Sequence, residues 1–304
     1  MGPNIVGVGE VLWDLLLTGP QLGGAPANFA YHARALGAGG RVITRVGNDD
    51  PGREIILRFQ EMGLPSGTVQ IDEAVPTGTA KVALSGDGLA HFSIQENVAW
   101  DYLAATPEAL SAARGADAIC FGSLAQRREP ARTTIQQLVA ATPADALRVF
   151  DINLRQKFYS RASIEQSLQL ANVLKLNDEE LPVLAEMFGL TGSASAEEEI
   201  ERIARTFSLR AVALTRGPNG SLLYQKNKDG TRWSDCSTRP VSVVDTVGAG
   251  DSFTAALVLG LLRKMDLDEI NNAANEVARY VCSQAGATPV VPAEFARRLS
   301  MASS

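Results

Sequence analysis

The chain is poor in the groups that staple small secreted domains. Only three cysteines occur in 304 residues, Cys120, Cys236 and Cys282. An odd, scattered set with no CxxC spacing argues against a disulfide framework or a structural zinc site and fits a reducing cytoplasm. Basic residues number 28 against 34 acidic ones, for a net charge of −6. Phosphate backbones and anionic membranes need clustered Lys and Arg, so neither is an expected partner. Long apolar runs are missing too, and none approaches the roughly 20 residues of a membrane-spanning helix. The opening MGPNIVGVGEVLWDLLL lacks a basic leader and is broken by Glu10 and Asp14, so it reads as a buried strand rather than a signal peptide. A Walker A loop is also absent. These absences leave a globular protein that handles small molecules.

What is present is a rhythm. Short β-rich runs (NIVGVG, RVITRVG, DAICFG, LRVFDIN, NVLKLN, AVALTRG and VSVVD) alternate with helical patterns at 28–36, 51–62, 107–114, 130–140, 164–171, 179–188, 196–207, 252–264 and 267–283. Strands that alternate with helices imply parallel pairing and crossovers. The expected architecture is a three-layer, doubly wound, mainly parallel α/β sheet in one domain spanning 1–304. Residues 79–94 break the rhythm, alternating apolar and polar on both sides of Gly86-Asp87-Gly88. That is a hairpin signal, and it reads either as a sheet extension or as a small β lid, with a short contribution from 12–22. KNKDGTR, 226–232, reads as a solvated hairpin tip.

The chemistry concentrates in DTVGAGDSF, 245–253. An apolar run precedes it and a helical pattern follows, so Gly248, Ala249 and Gly250 fall on a turn into a helix. Free amides and the positive end of the helix dipole make such a turn an anion site, above all for phosphate. A carboxylate beside phosphate is poor ground-state electrostatics. Asp251 is explained by reaction: it can accept a proton from a hydroxyl that attacks a phosphoryl group while the amides stabilise the developing charge. Taken alone, a GxGD pattern reads first as a helix start with an acid in its first turn.

DTVGAGDSF resembles the C-terminal signature of the ribokinase-type (PfkB) carbohydrate kinases, and GGAPANFAYHARALG, 23–37, resembles their N-terminal sugar-binding signature. The two stand in the family order, more than 200 positions apart, and the strand-helix rhythm between them matches, so the resemblance spans nearly the whole chain. It implies a ribokinase-like fold and an ATP-dependent sugar kinase. Asp251 would be the general base, with Gly248, Ala249, Gly250 and Asp251 forming the anion hole. Asp14, Gly23, Gly24 and Asn28 would bind sugar hydroxyls; read singly, Asn28 is a helix cap and Asp14 a turn residue.

LNDEEL, 176–181, is similar to the family's NxxE element, implying that Asn177 and Glu180 orient Mg²⁺ through water. TRGPNG, 215–220, resembles the loop that places Thr215, Gly217 and Gly220 near the nucleotide, with Arg216 facing solvent. Asn275 aligns with an adenine-side position. CSQAGATPVVP, 282–292, resembles the closing segment that holds K⁺ in relatives. Its candidate carbonyls are Val281, Gln284 and Gly286, with Asp245 and Val247 from the other side, and Val290 stands where a hydroxyl residue sometimes contributes. DINLRQKFY, 151–159, resembles the D-x-N-x-R element of fructokinases and 2-keto-3-deoxygluconate kinases, and Arg155 would clamp a substrate oxygen or carboxylate. Glu96, Asn97 and Trp100 follow the hairpin and would line the sugar edge, Trp100 being equally a core residue. The GEVLWD opening is most similar to fructokinase members, which puts fructose first. An acidic sugar and a non-catalytic sugar sensor are the alternatives, and a homodimer through the lid strands is a further expectation.

Overall fold

The computed structural model describes residues 2–16, 19–84, 90–228 and 230–300. In chain order the elements are β1 (Asn4–Val8), β2 (Leu12–Leu16), β3 (Gly19–Gly23), α1 (Ala25–Ala35), β4 (Gly39–Gly47), α2 (Asp50–Glu61), β5 (Val69–Asp72), β6 (Gly78–Leu84), β7 (Ala90–Ile94), α3 (Pro107–Arg114), β8 (Ala118–Phe121) and α4 (Glu129–Ala140). There follow β9 (Leu147–Asp151), α5 (Arg161–Leu170), β10 (Val173–Asn177), α6 (Glu180–Phe188), α7 (Ala196–Thr206), β11 (Ala211–Thr215), β12 (Ser221–Asn227), β13 (Gly230–Cys236), α8 (Ala249–Leu262), α9 (Leu267–Cys282) and α10 (Ala293–Ser300).

The main sheet runs β13-β12-β11-β10-β9-β8-β1-β4-β5. It is parallel from β5 through β11, and β12 and β13 close one edge antiparallel. Its central strands, β1, β8, β9, β10 and β11, are mostly buried on both faces, as a sheet covered on both sides requires. Val6, Val8, Ile119, Phe121 and Phe150 face a core that also holds residues of α4 to α7. Their neighbours Ile5, Cys120 and Val149 face the opposite core, built with α1, α8 and α9. From β1 the chain builds outward to β4 and β5, then returns to β8 and winds the other way. The strand order therefore reverses beside β1, where ligands settle at the carboxyl edge in such folds.

Local chemistry sets the helix starts. Asp49 caps α2 by accepting from the Gly52 amide at 2.8 Å, and Thr106 caps α3 from Ala109 at 3.2 Å. Ser160 and Ser163 form a reciprocal cap on α5. No helix among the described residues is long and apolar enough to cross a membrane.

The remaining strands form a second sheet, in the order β3-β2-β6-β7. The 79–94 hairpin is present as β6 and β7 with Ala80 opposite Ile94. Its Gly86-Asp87-Gly88 tip lies outside the described residues, as does Asp229 of the other hairpin tip. The 12–22 segment contributes a full antiparallel pair, β2 and β3, and β2 joins β6 in parallel. One expectation fails: VSVVD, 241–245, is not a strand. Val243 and Val244 are exposed, and the amides of Val244 and Asp245 donate to the Cys282 carbonyl at the end of α9 instead of to a neighbouring strand. Apolar content alone does not make a strand when the backbone amides are taken by another partner.

Candidate active site

At the carboxyl edge of the sheet, α8 starts directly beside α1. Gly248 caps α8 in the left-handed region at φ 79°. A side chain there would be strained, and its Cβ would strike the Ala287 carbonyl. The chain thereby turns into α8, with the Ala249 amide donating to the Thr246 carbonyl at 3.3 Å, and Asp251 sits in the first turn. Asn28, buried in the first turn of α1 but not at its cap, which is Gly24, donates from Nδ2 to Asp251 Oδ2 at 2.8 Å. This bond joins the two signature segments, 223 positions apart. Burial, reinforced by the nearby Asp151 carboxylate, raises the Asp251 pKa to about 6, against the pull of Asn28, Lys175 and Arg155. An oriented carboxyl that ionises just below neutrality can serve as a general base.

Asp14, on β2, stands over Gly23 on β3, where any Cβ would collide with its carboxylate. Burial lifts its pKa to about 6 while the Arg155 guanidinium opposes the rise. Arg155 is exposed on a loop whose neighbours Asn153 and Gln156 take positive φ. Its charge reaches Asp14, Glu10 and Asp251 alike. Asp14, Gly23, Asn28, Arg155 and Asp251 therefore converge.

Other predicted residues are held more firmly by the fold. The Asn177 Oδ1 accepts from the Glu179 and Glu180 amides, and the Glu180 carboxylate accepts from the amides of Asn177 and Leu154. Glu180 thus ties the end of β10 to the 151–155 loop. Asn97 turns its amide oxygen to Tyr102 and Arg128, and Glu96 beside it is exposed. Trp100 is a core residue, 1% exposed, with the Arg127 guanidinium 4.0 Å above its ring. Asn275 spends its Nδ2 on Ser221 and Asn271, pinning α9 to β12. Thr215 ends β11 and donates to the Leu176 carbonyl, and Gly217 opens the exposed turn after it. Gly220 closes that turn against Cys236. Arg216, expected in solvent, is paired with Asp235 of β13 because the hairpin brings that carboxylate alongside.

Among the cation carbonyls, Val281 accepts from Gln284, and Asp245 clasps the two segments by receiving the amides of Val247 and Gly286. Gly286 takes φ 78° in that clasp.

Four residues escaped the sequence reading. Lys175 and Asp151 form a buried ion pair at 3.2 Å beneath α8, and the only signal was a lysine inside the apolar run VLKLN. Glu10, buried by Gly24 and α1, has its pKa raised to about 7, mainly by burial. His32 Nε2 lies 2.9 Å from the Ala287 carbonyl, and burial lowers its pKa to about 4, so the neutral ring donates to that carbonyl behind Gly248.

The family model described as pfkB family carbohydrate kinase matches residues 19–294. Fructokinase-1 of Zea mays is 28% identical over 306 residues, covering 96% of this chain and 91% of that protein. The structure of an uncharacterized sugar kinase from Pyrococcus horikoshii in complex with ATP superposes with TM-score 0.81 at 28% identity, over 97% of this chain and 99% of the other. A fructokinase from Vibrio cholerae O395, in fructose-, ADP- and calcium-bound form, gives TM-score 0.75 at 26% identity, covering 97% and 98%. With both signatures meeting at one carboxylate and the family match covering most of the sequence, the chain belongs to the pfkB family of carbohydrate kinases.

Proposed function

We propose that the chain is an ATP-dependent kinase that phosphorylates a hydroxymethyl group of a neutral ketose, with fructose as the first substrate to test. The observation that carries this reading is Asp251, oriented by Asn28 in the first turn of the glycine-capped helix α8. The sugar oxygen forms a bond to the γ-phosphorus while its proton passes to the Asp251 carboxylate. The bond from that phosphorus to the bridging oxygen of ADP breaks, and ADP leaves with the electron pair. The amides of Gly248, Ala249 and Gly250 stabilise charge on the transferring group. Asp14 and Asn28 hold sugar hydroxyls, Gly23 and Gly24 leave room for them, and Glu96 and Asn97 border the sugar edge. The names of the Zea mays and Vibrio cholerae relatives support fructose, and the Pyrococcus horikoshii complex supports ATP.

The side chains suit a hydrated Mg²⁺ better than a directly ligated one. Among the described residues no three acids, histidines or cysteines gather as a metal cluster, and both Glu180 oxygens already accept amides. Asn177 and Glu180 would act on the ion's waters, and bound Mg²⁺ neutralises phosphate charge. Thr215, Gly217, Gly220 and Asn275 lie on the nucleotide side in this reading. Asp245, Val247, Gln284 and Gly286 keep the K⁺ expectation open, with Val281 the weakest donor because its carbonyl is engaged. Three free cysteines fit a cytoplasmic setting, and the outer strands β3 and β7 would seat a second lid in a homodimer.

One observation favours a second reading. Arg155 is exposed beside the sugar residues, and its guanidinium donates to its neighbour's carbonyl, Leu154 at 3.2 Å, with no carboxylate in an ion pair with it among the described residues. An acidic sugar such as 2-keto-3-deoxygluconate would occupy it. An ADP-release assay with ATP and Mg²⁺ across a sugar panel tests both: fructose turnover supports the first, preference for the acidic sugar the second. Sugar binding with no turnover on any sugar would point to a non-catalytic sensor and refute the kinase.

A further inference from the structure

The buried Lys175 lies against the candidate phosphate loop. A Cβ built on Gly250 would stand 3.1 Å from Lys175 Nζ, so the ammonium rests directly behind the second glycine of that loop. It is fixed there. Asp151 Oδ1 holds it at 3.2 Å, and the side chains of the pair are only 8% and 7% exposed. The other Asp151 oxygen takes the Thr254 hydroxyl at 3.0 Å, one turn into α8, and that hydroxyl also lies 2.9 Å from the Gly250 carbonyl. The Asp151 carboxylate at this distance makes the pair an ion pair, with the ammonium as its cationic half. A structural ion pair this dry is a weak source of stability, since desolvation offsets its Coulomb gain. Its cost is better understood through the anion next to it.

We propose that Lys175 is a positioning residue for phosphoryl transfer: held by Asp151 against Gly250, its ammonium supplies the fixed positive charge beneath the anion hole. This rests on the kinase reading above. From behind the loop, the charge strengthens the pull of the amides on the transferring group and favours the ionised form of Asp251, which it faces together with Arg155 and against Asp151. It touches neither the sugar nor the proton in flight. Its loss should therefore lower kcat and leave sugar binding alone.

The test compares Lys175→Met, the double variant Lys175→Met/Asp151→Asn, and Asp251→Asn, each measured for melting temperature, kcat, sugar KM and the pH dependence of turnover. Lys175→Met should lower kcat about 100-fold, as loss of one electrostatic contributor does, with sugar KM within about threefold and the acid limb of the pH profile moved upward. The double variant leaves no unpaired buried charge, so its melting temperature should recover while kcat stays at least about 30-fold down. If kcat returns with the melting temperature, or if Lys175→Met is fully active, the pair is only structural and the proposal falls. Should the single variant fail to fold, the double variant decides alone. Full turnover by Asp251→Asn would instead sink the base assignment, so the two failures are distinguishable.

Discussion

Replacing Asp251 with Asn should make the protein more stable as it destroys its activity. The carboxyl has an ordinary pKa of 3.8 and one of about 6 in the folded chain, with burial the main cause. Because the folded state binds this proton more tightly than the unfolded one, the group's contribution is fully favourable below 3.8 and is lost as pH rises through about 6. Above that, native protein bears the whole cost of a buried carboxylate. At about 1.4 kcal/mol per pH unit the gap amounts to about 3 kcal/mol, and partial solvent contact trims it to about 2–3 kcal/mol. Asn keeps the shape and an oxygen for Asn28 to bond but carries no charge. For a chain of this size the gain corresponds to a melting temperature about 3–6 °C higher at pH 7.5. The advantage should shrink to roughly half at pH 5 and vanish near 3.8. Differential scanning fluorimetry of both proteins from pH 4 to 8, beside an ADP-release assay at pH 7.5, measures each arm. Turnover should fall by at least about 10²–10⁴-fold, the usual worth of a general base. An Asn variant that melts at or below the native temperature throughout pH 6–8 would refute the burial argument, and one with native turnover would refute the base.

Other outcomes follow from the same geometry. Native turnover should hold above about pH 6 and fall about tenfold per unit below it as Asp251 takes up its proton, and Asn28→Ala, which removes a bond that favours the carboxylate, should shift that limb upward; an unmoved limb in a pH series would separate Asn28 from the base. Gly248→Ala forces a methyl into the left-handed region and onto the Ala287 carbonyl, so a loss of about 1–3 kcal/mol in urea unfolding is expected, with kcat sharply reduced. Asp101→Asn leaves the Arg127 guanidinium buried without its partner, bonded before at 2.7 Å, and should cost about 3–5 kcal/mol in the same measurement. A loss under about 1 kcal/mol would show that the stack on Trp100 suffices.

The strand-helix alternation was readable because each parallel strand is a short apolar run closed by Gly, Asp or Asn, and because Thr106 with Pro107 marks a helix start through its own hydrogen bond, whereas the Ser160 cap of α5 lies three residues before the start read at Ser163. VSVVD misled for the same reason: pattern reports apolarity, whereas a strand also needs a partner edge, and these amides found the end of α9. Asn275 and Arg216 show the limit for sites. Asn275 was expected on the adenine side and Arg216 in solvent, yet their side chains meet Ser221 of β12 and Asp235 of β13.

By itself the sequence determined the fold class, the glycine turn with its acid, and the pairing of two signatures that marks the family, since all three depend on residue type and short-range order. Only the tertiary structure decided that Asn28 aims Asp251, that Gly23 makes way for Asp14, and that Lys175 and Asp151 lie under the loop. Those relations join residues 9 to 223 positions apart, and their energies depend on distance and burial, which emerge only once the sheet has stacked its carboxyl ends along one edge.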